Sequence, residues 1–276
     1  MTDLQQLKIA DLPQANILAV GTVSEAVSRS SQFRDILEEY GIDDVIIRPM
    51  DSLERCVDIA DWHLTVVLSP FKRRAGEFCT SLSPVAKEIG VVDTIIRRGT
   101  EIVGYNTNVA AIEKVLRRLI PPDCIDGVIQ VVGTGATARC VIAAAQNSFA
   151  HLTVAVVGRN FGNVAALAGE SGALALEVPA TENVVITVHT TSWGETPDSE
   201  QVPLMPDLKV ATHSGQVLFD LNNRVSTLQT DSLGRGCIVI GGKWMQEVVH
   251  RQRAILLREL LDDLTVEKKK GEARDD

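Results

Sequence analysis

No stretch of this 276-residue chain stays apolar for long. The apolar runs are strand-length and interrupted, and none reaches the roughly 20 residues that cross a bilayer as a helix. The opening, MTDLQQLKIADLPQ, is charged and polar and lacks the apolar core of a secretory signal. A cytoplasmic protein with no membrane partner is expected. An excess of base is missing too: 27 Lys and Arg stand against 36 Asp and Glu, a formal charge of −9. That balance argues against a nucleic-acid partner read through a general basic face, while a local basic site for a phosphorylated small molecule stays open. Cysteine is sparse. The five (Cys56, Cys79, Cys124, Cys140 and Cys237) form no CxxC pair and lie mostly among apolar residues. They read as reduced core thiols, with no metal site. No repeat of solenoid period is visible.

What is present is alternation. ANILAV reads as a strand, SQFRDILEEYG as a helix, DVIIRPM as a strand, LERCVDIA as a short helix, LTVVLS as a strand and SPVAKEIG as a helix turn. VVDTIIRRGTEIVGYN has hairpin character around Arg98-Gly99-Thr100. A helix over 109–119 follows, and the two prolines of IPPDC mark a domain boundary. A second series then runs through GVIQVVG, ATARCVIAAAQNS, LTVAVVG, FGNVAALAGES, ENVVITVHT, GQVLFDL and GCIVIGG. Its continuous Val- and Ile-rich runs suit parallel strands covered by helices on both faces. A helix over about 243–265 closes the chain, and EKKKGEARDD reads as a solvated, flexible tail over 266–276.

The clearest chemistry lies in VIQVVGTGATARCVIAAA, where Gly133-x-Gly135-x-x-Ala138 leaves a buried strand and enters a helix. The first glycine allows a tight turn, and the second lets backbone approach a pyrophosphate. The small third residue lets helix pack on strand, with the helix N-terminus favouring the anion. Ala136 and Thr137 fall in the same first turn. The next strand ends VAVVGRN, with Arg159 and no acid. A ribose 2′-hydroxyl calls for an acid there and a 2′-phosphate suits a guanidinium, so NADP is expected ahead of NAD.

Together these pieces resemble the shikimate dehydrogenases and their quinate- and shikimate-dehydrogenase-like relatives. LSPVAKEIGVVDTIIRRGTEIVGYNTNVAAIEKVL is similar to their S-P-x-A-x-x-I-G-A-V-N-T-[VI] and G-x-N-T-D segments, in order and spacing. GTGATAR is similar to their G-A-G-G-A-[SA]-R loop. GRN stands where NADP-using members carry N-R-T, which adds Asn160, and TTSWG resembles A-T-P-x-G, which adds Thr191. The resemblance implies a two-domain α/β fold. Residues 1–108, completed by the helix over 243–265, form an amino-terminal α/β substrate domain. Residues 109–242 form a Rossmann-type, doubly wound NADP-binding domain.

Carried over residue by residue, the paired serines that grip the substrate carboxylate resemble Ser28 and Ser30, with Ser31 in place of the following proline. The P-x-K motif of the catalytic lysine is met by Pro70-Phe71-Lys72, and Thr94 and Asn106-Thr107 fit. The departures are Asp93 for the Asn of V-N-T, Asn108 for the Asp of N-T-D, no tyrosine after FDL, and Val249 near the place of a substrate-binding glutamine, with Gln252 one turn on. Alcohol oxidation needs a base for the hydroxyl proton and a cation for the developing alkoxide. Lys72 and Asp93 are the expected working pair. Ser28, Ser30, Thr94, Asn106, Asn108 and Gln252 are the expected substrate contacts. The expected activity is NADP-dependent hydride transfer on a small hydroxylated carboxylate, by a monomer or homodimer. The alternative is a weakly active or inactive binding protein on the same scaffold.

Overall fold

The computed structural model describes residues 12–203 and 214–275. The opening segment in which no secretory signal was read lies outside them up to residue 11. The chain falls into two α/β units: residues up to Thr107 together with those from Val249 onward, and Asn108–Val248. The first passage between units therefore comes well before the prolines of IPPDC. No helix among the described residues is long and apolar enough to cross a membrane.

The first unit is built on a six-stranded sheet of β1 (Ala15–Val20), β2 (Val45–Met50), β3 (Leu64–Val67), β4 (Ser81–Leu82), β5 (Thr94–Arg98) and β6 (Glu101–Tyr105). Their spatial order is β2-β1-β3-β5-β6-β4. β1 pairs in parallel with β2 and β3, whereas β5 runs antiparallel to both β3 and β6. All six residues of β1 are buried, as a central strand covered on both faces requires. The helices of this region are α1 (Ser24–Ser28), α2 (Ser31–Glu39), α3 (Leu53–Asp58) and α4 (Pro84–Ile89). α2 buries Phe33, Ile36 and Leu37 at helical spacing. The last helix, Lys243–Asp275, sends Ala254, Leu257, Leu260 and Leu261 into the same core as Ile17, Ala19 and Phe33. It runs ten residues beyond the end expected at 265, so the stretch read as a flexible tail is helical up to Asp275.

Within that core one residue is out of character. His250 is fully buried and stacks on Phe33 with ring centroids 4.3 Å apart. Neither ring nitrogen has a hydrogen-bond partner among the described residues. Burial, and then the nearby Arg253 charge, push its pKa from 6.5 down to about 3. The unfolded chain therefore takes up a proton that the folded chain refuses. Stability is complete above pH 6.5 and is lost as pH falls toward 3, by up to about 1.4 kcal/mol per pH unit from this ring. His250→Leu is expected to flatten that slope. Urea-unfolding midpoints between pH 7 and pH 4 measure it, and parallel slopes in both proteins would place the acid sensitivity elsewhere.

The second unit holds β7 (Val128–Val132), β8 (Thr153–Val157), β9 (Leu174–Leu176), β10 (Val184–His189), β11 (Val217–Asp220) and β12 (Ile238–Gly241). They are ordered β12-β11-β10-β7-β8-β9 and every pairing is parallel. Read from the other edge, this is the 3-2-1-4-5-6 order of a Rossmann sheet. Its direction reverses between β7 and β10, where such sheets open a crevice beyond the carboxyl ends of the strands. The helices of this unit are α5 (Asn108–Leu119), α6 (Ala136–Ser148), α7 (Phe161–Ser171) and α8 (Thr227–Gly234). The closing helix, which also begins in this unit, is α9.

Candidate active site

Strand register gathers the candidate residues of the first unit at one edge of its sheet. Val20 pairs with both Met50 and Val67, so β1, β2 and β3 end together. Thr94 lies opposite Val66 and Tyr105, so β5 begins and β6 ends at that same edge. The segments carrying Ser28 and Ser30, Lys72, Asp93 and Asn106-Thr107 all leave or enter the sheet there. A cavity of about 380 Å³, lined by Gly21, Ser24, Glu25, Pro49, Met50, Asp51 and Arg55, opens beside the ends of β1 and β2. It includes neither serine of the expected pair.

Lys72 sits in a 3-10 turn, Phe71–Arg73, entered through a cis Ser69–Pro70 bond. Its carbonyl accepts from Val92 N at 2.9 Å, which stitches the lysine turn to the segment carrying Asp93. The side chain is half-buried and has no ion pair among the described residues. Asp93 is fully buried and heavily engaged. Its carboxylate accepts from Thr107 N (2.9 and 3.1 Å), from Thr107 Oγ1 (2.6 Å) and from Thr94 Oγ1 (2.8 Å).

The counter-charge comes from an unexpected place. Arg253 of α9, 4% exposed, donates from Nε to Thr94 Oγ1 (3.0 Å) and from Nη2 to the Asp93 carbonyl (3.2 Å), and Nη2 lies 3.9 Å from the Asp93 carboxylate. Burial lowers the Arg253 pKa and Asp93 opposes that shift. Gln252 is half-buried and is absent from this network; the next residue reaches it instead. The signal was the stripe Val249, Arg253, Ala254, Leu257, Leu260 and Leu261, in which a charged residue occupies a buried helical position and so calls for a buried acid.

The remaining candidates hold local roles. Ser28 Oγ donates to the Glu25 carbonyl at 2.9 Å, and Ser30 Oγ caps α2 by accepting from Phe33 N at 3.2 Å. The hydroxyl proton of Ser28 is thereby committed, whereas that of Ser30 has no acceptor among the described residues. Asn106 Nδ2 donates to the Val91 carbonyl at 3.0 Å. Asn108 is buried and opens α5. Of the five thiols, Cys56, Cys140 and Cys237 are buried, and burial pushes Cys56 and Cys79 up to about 11. Among the described residues no three His, Cys, Asp or Glu are grouped to hold a metal.

In the second unit, Gly133 follows β7 with φ +121°. A Cβ there would lie 2.5 Å from Thr190 Oγ1 and 3.0 Å from Thr191 Cγ2. Only glycine lets the turn close against the loop after β10. Gly135 caps α6 without a side-chain bond, and the space where its Cβ would stand is open. The free N–H groups of the α6 first turn, at Ala136 and Thr137, thus lie beneath an approachable backbone. Ala138 is fully buried. Arg159 is exposed just past β8, without an ion pair among the described residues. Asn160 Oδ1 caps α7 by accepting from Asn163 N at 3.1 Å.

No family model matches the chain. The bifunctional 3-dehydroquinate dehydratase/shikimate dehydrogenase of Arabidopsis thaliana is 27% identical over 209 residues, covering 68% of this chain and 33% of that protein. The shikimate dehydrogenase (NADP(+)) of Nostoc sp. is 28% identical over 167 residues, covering 56% of this chain and 57% of that one. The matches thus span between a third and a little over half of these relatives' length. The shikimate dehydrogenase structure from Aquifex aeolicus superposes with a TM-score of 0.76 at 20% identity, covering 92% and 98% of the two chains. That of shikimate 5-dehydrogenase from Thermus thermophilus with NADP(H) and shikimate gives 0.71 at 21%, covering 91% and 99%. The chain is similar to shikimate dehydrogenases in sequence and in fold. The solved shikimate dehydrogenases account for the two-unit architecture, with a Rossmann sheet as the second unit.

Proposed function

We propose that this protein is an NADP-dependent oxidoreductase of the shikimate dehydrogenase type, acting on a small hydroxylated carboxylate. The observation that carries the reading is the pairing of two features, each within its own unit. The segments carrying Lys72, Asp93 and Asn106-Thr107 leave or enter the first unit's sheet at one edge. The other unit offers a glycine cradle beneath the open first turn of α6. The curated relatives carry shikimate dehydrogenase names, and in that of Nostoc NADP(+) is specified.

Gly133, Gly135, Ala136, Thr137 and Ala138 would hold the pyrophosphate through backbone N–H groups, and Arg159 would face the 2′-phosphate. A nicotinamide held there would supply the hydride acceptor or donor. Lys72 Nζ takes the hydroxyl proton in oxidation and returns it in reduction, and its positive form steadies the oxygen as charge develops. Asp93 keeps a place in the working pair as the residue that positions this edge. Its carboxylate fixes Thr94 and Thr107, while Val92 ties Lys72 to the same segment. Asn106, Asn108, Ser30 and Gln252 remain the proposed substrate contacts, whereas the hydroxyl protons of Ser28 and Thr94 are already given to groups of the protein itself.

The direct test is turnover with shikimate and quinate, each with NADP and NAD. No reduction of either cofactor by any pair would count against the reading. Arg159→Ala is expected to weaken NADP about tenfold or more, as loss of one charge-assisted contact does, and to spare NAD. An unchanged preference for NADP in the variant removes Arg159 from the site.

A further inference from the structure

The end of β10 carries a polar relay that the reading above leaves unused. His189 and Asp220, the last residues of the adjacent parallel strands β10 and β11, are both fully buried. His189 Nδ1 lies 3.0 Å from Asp220 Oδ1, and His189 Nε2 lies 2.7 Å from Thr191 Oγ1. Asp220 also receives the Asn222 N–H (3.1 Å), the Ser226 hydroxyl (3.3 Å) and Gln229 Nε2 (2.9 Å). Each of these partners is a donor, so the carboxylate acts as an acceptor on every side and Nδ1 must bring the ring proton. In a neutral ring Nε2 is then bare, and the Thr191 hydroxyl has to donate to it.

The consequence falls on Thr191. Its proton is spent on His189, and one lone pair of Oγ1 accepts from Trp193 N at 3.2 Å. A second lone pair remains. Asn222 Nδ2 holds the Thr191 and Trp193 carbonyls, at 3.4 and 2.7 Å, and so fixes the loop in which the hydroxyl stands. That loop packs against the Gly133 turn across the point where the sheet reverses. Thr191 thus carries a spare acceptor in a loop that stands at the switch point where a dinucleotide lies in sheets of this order. An acceptor repels phosphate oxygen and takes an N–H or O–H.

We propose that Thr191 is a specificity-determining residue for the nicotinamide half of the cofactor, recognising a hydrogen-bond donor there, and that the Asp220–His189 pair is the positioning device that keeps its hydroxyl an acceptor. The proposal rests on the dinucleotide reading given above. It assigns work to a histidine in a loop sequence, VHTTSWG, whose histidine has no partner pattern along the chain.

Nitrogen-15 NMR of the intact wild-type protein at pH 7 reads the relay without any substitution. A single His189 tautomer with Nδ1 protonated and Nε2 bare is expected, and an Nε2–H or doubly protonated ring overturns the relay. Calorimetry reads the ligand, with NADP and adenosine 2′,5′-bisphosphate (which lacks the nicotinamide half) as probes. Thr191→Val is expected to weaken NADP about tenfold and to leave the bisphosphate unchanged. Equal losses for both probes, or no loss, overturn the assignment. His189→Gln is expected to weaken NADP in the parent protein and to add nothing in Thr191→Val, whereas additive losses overturn the action through Thr191. A wild type that binds neither probe overturns the dinucleotide reading and with it this ligand, while the nitrogen spectrum still decides the relay.

Discussion

Lys72→Met is expected to lower turnover by about 10²–10⁴-fold, the usual contribution of a positioned acid-base group, while leaving dinucleotide affinity unchanged. Methionine keeps much of the stem that half-buries Lys72 and removes only the ammonium. The turn around it is held by backbone, through the Lys72 carbonyl and Val92 N, so the fold loses no ion pair. The comparison with Asp93→Asn separates the two members of the pair. The Asp93 carboxylate already accepts from Thr94 and Thr107, which engages it as a positioning group. Its loss should therefore disturb the edge and lower turnover less than the loss of Lys72 does. Steady-state rates of both variants, with cofactor affinity measured separately, decide the matter. A Lys72→Met protein as fast as wild type would remove lysine from the chemistry.

The second large effect is on stability. Arg253→Met is expected to cost about 3–5 kcal/mol, the range for breaking a buried ion pair by removing one partner. The cost arises because the Asp93 carboxylate, with no exposure, loses the guanidinium beside it, and Thr94 Oγ1 loses the donor Arg253 Nε. The sign of a second substitution makes this distinctive. Adding Asp93→Asn to Arg253→Met replaces the carboxylate that faced the guanidinium with a neutral amide, so the double variant should be more stable than Arg253→Met alone. Urea unfolding followed by circular dichroism measures both, and purely additive losses would show that the two residues do not act as a pair.

Much of this was legible along the chain, for identifiable reasons. The strands of the second unit are continuous Val and Ile runs because both faces of a parallel sheet are covered, and that pattern is local. Gly133 announced itself because its turn admits no side chain. Other features were hidden by their own chemistry. The helix Thr227–Gly234 buries Leu228, Gln229 and Ser232; two of these are polar, so no apolar stripe marks it. The stretch EKKKGEARDD lacks an apolar stripe as well, and up to Asp275 it continues a helix that is packed further upstream. Arg253 and Asp93 are 160 residues apart, and no periodicity links positions so distant. The same holds for His189 and Asp220, 31 residues apart, which meet only because β10 and β11 are neighbours. Departures such as Asp93 and Asn108 could be seen in sequence, but the partners that give Asp93 its work could not.

The core shared by β1, α2 and α9 bears on how the protein is made. Ile17 and Phe33 emerge from the ribosome long before Leu257 and Leu260, which cover them, and the whole of Asn108–Val248 is synthesised in between. That inserted unit is contiguous, so every strand of its sheet is synthesised before the final helix is complete. The amino-terminal strands must wait with apolar surface uncovered until the final helix arrives. Vectorial synthesis thus reverses the order of the chain, the later unit maturing before the earlier one. Released chains ending at Val248 should carry a protected second unit beside a protease-sensitive first.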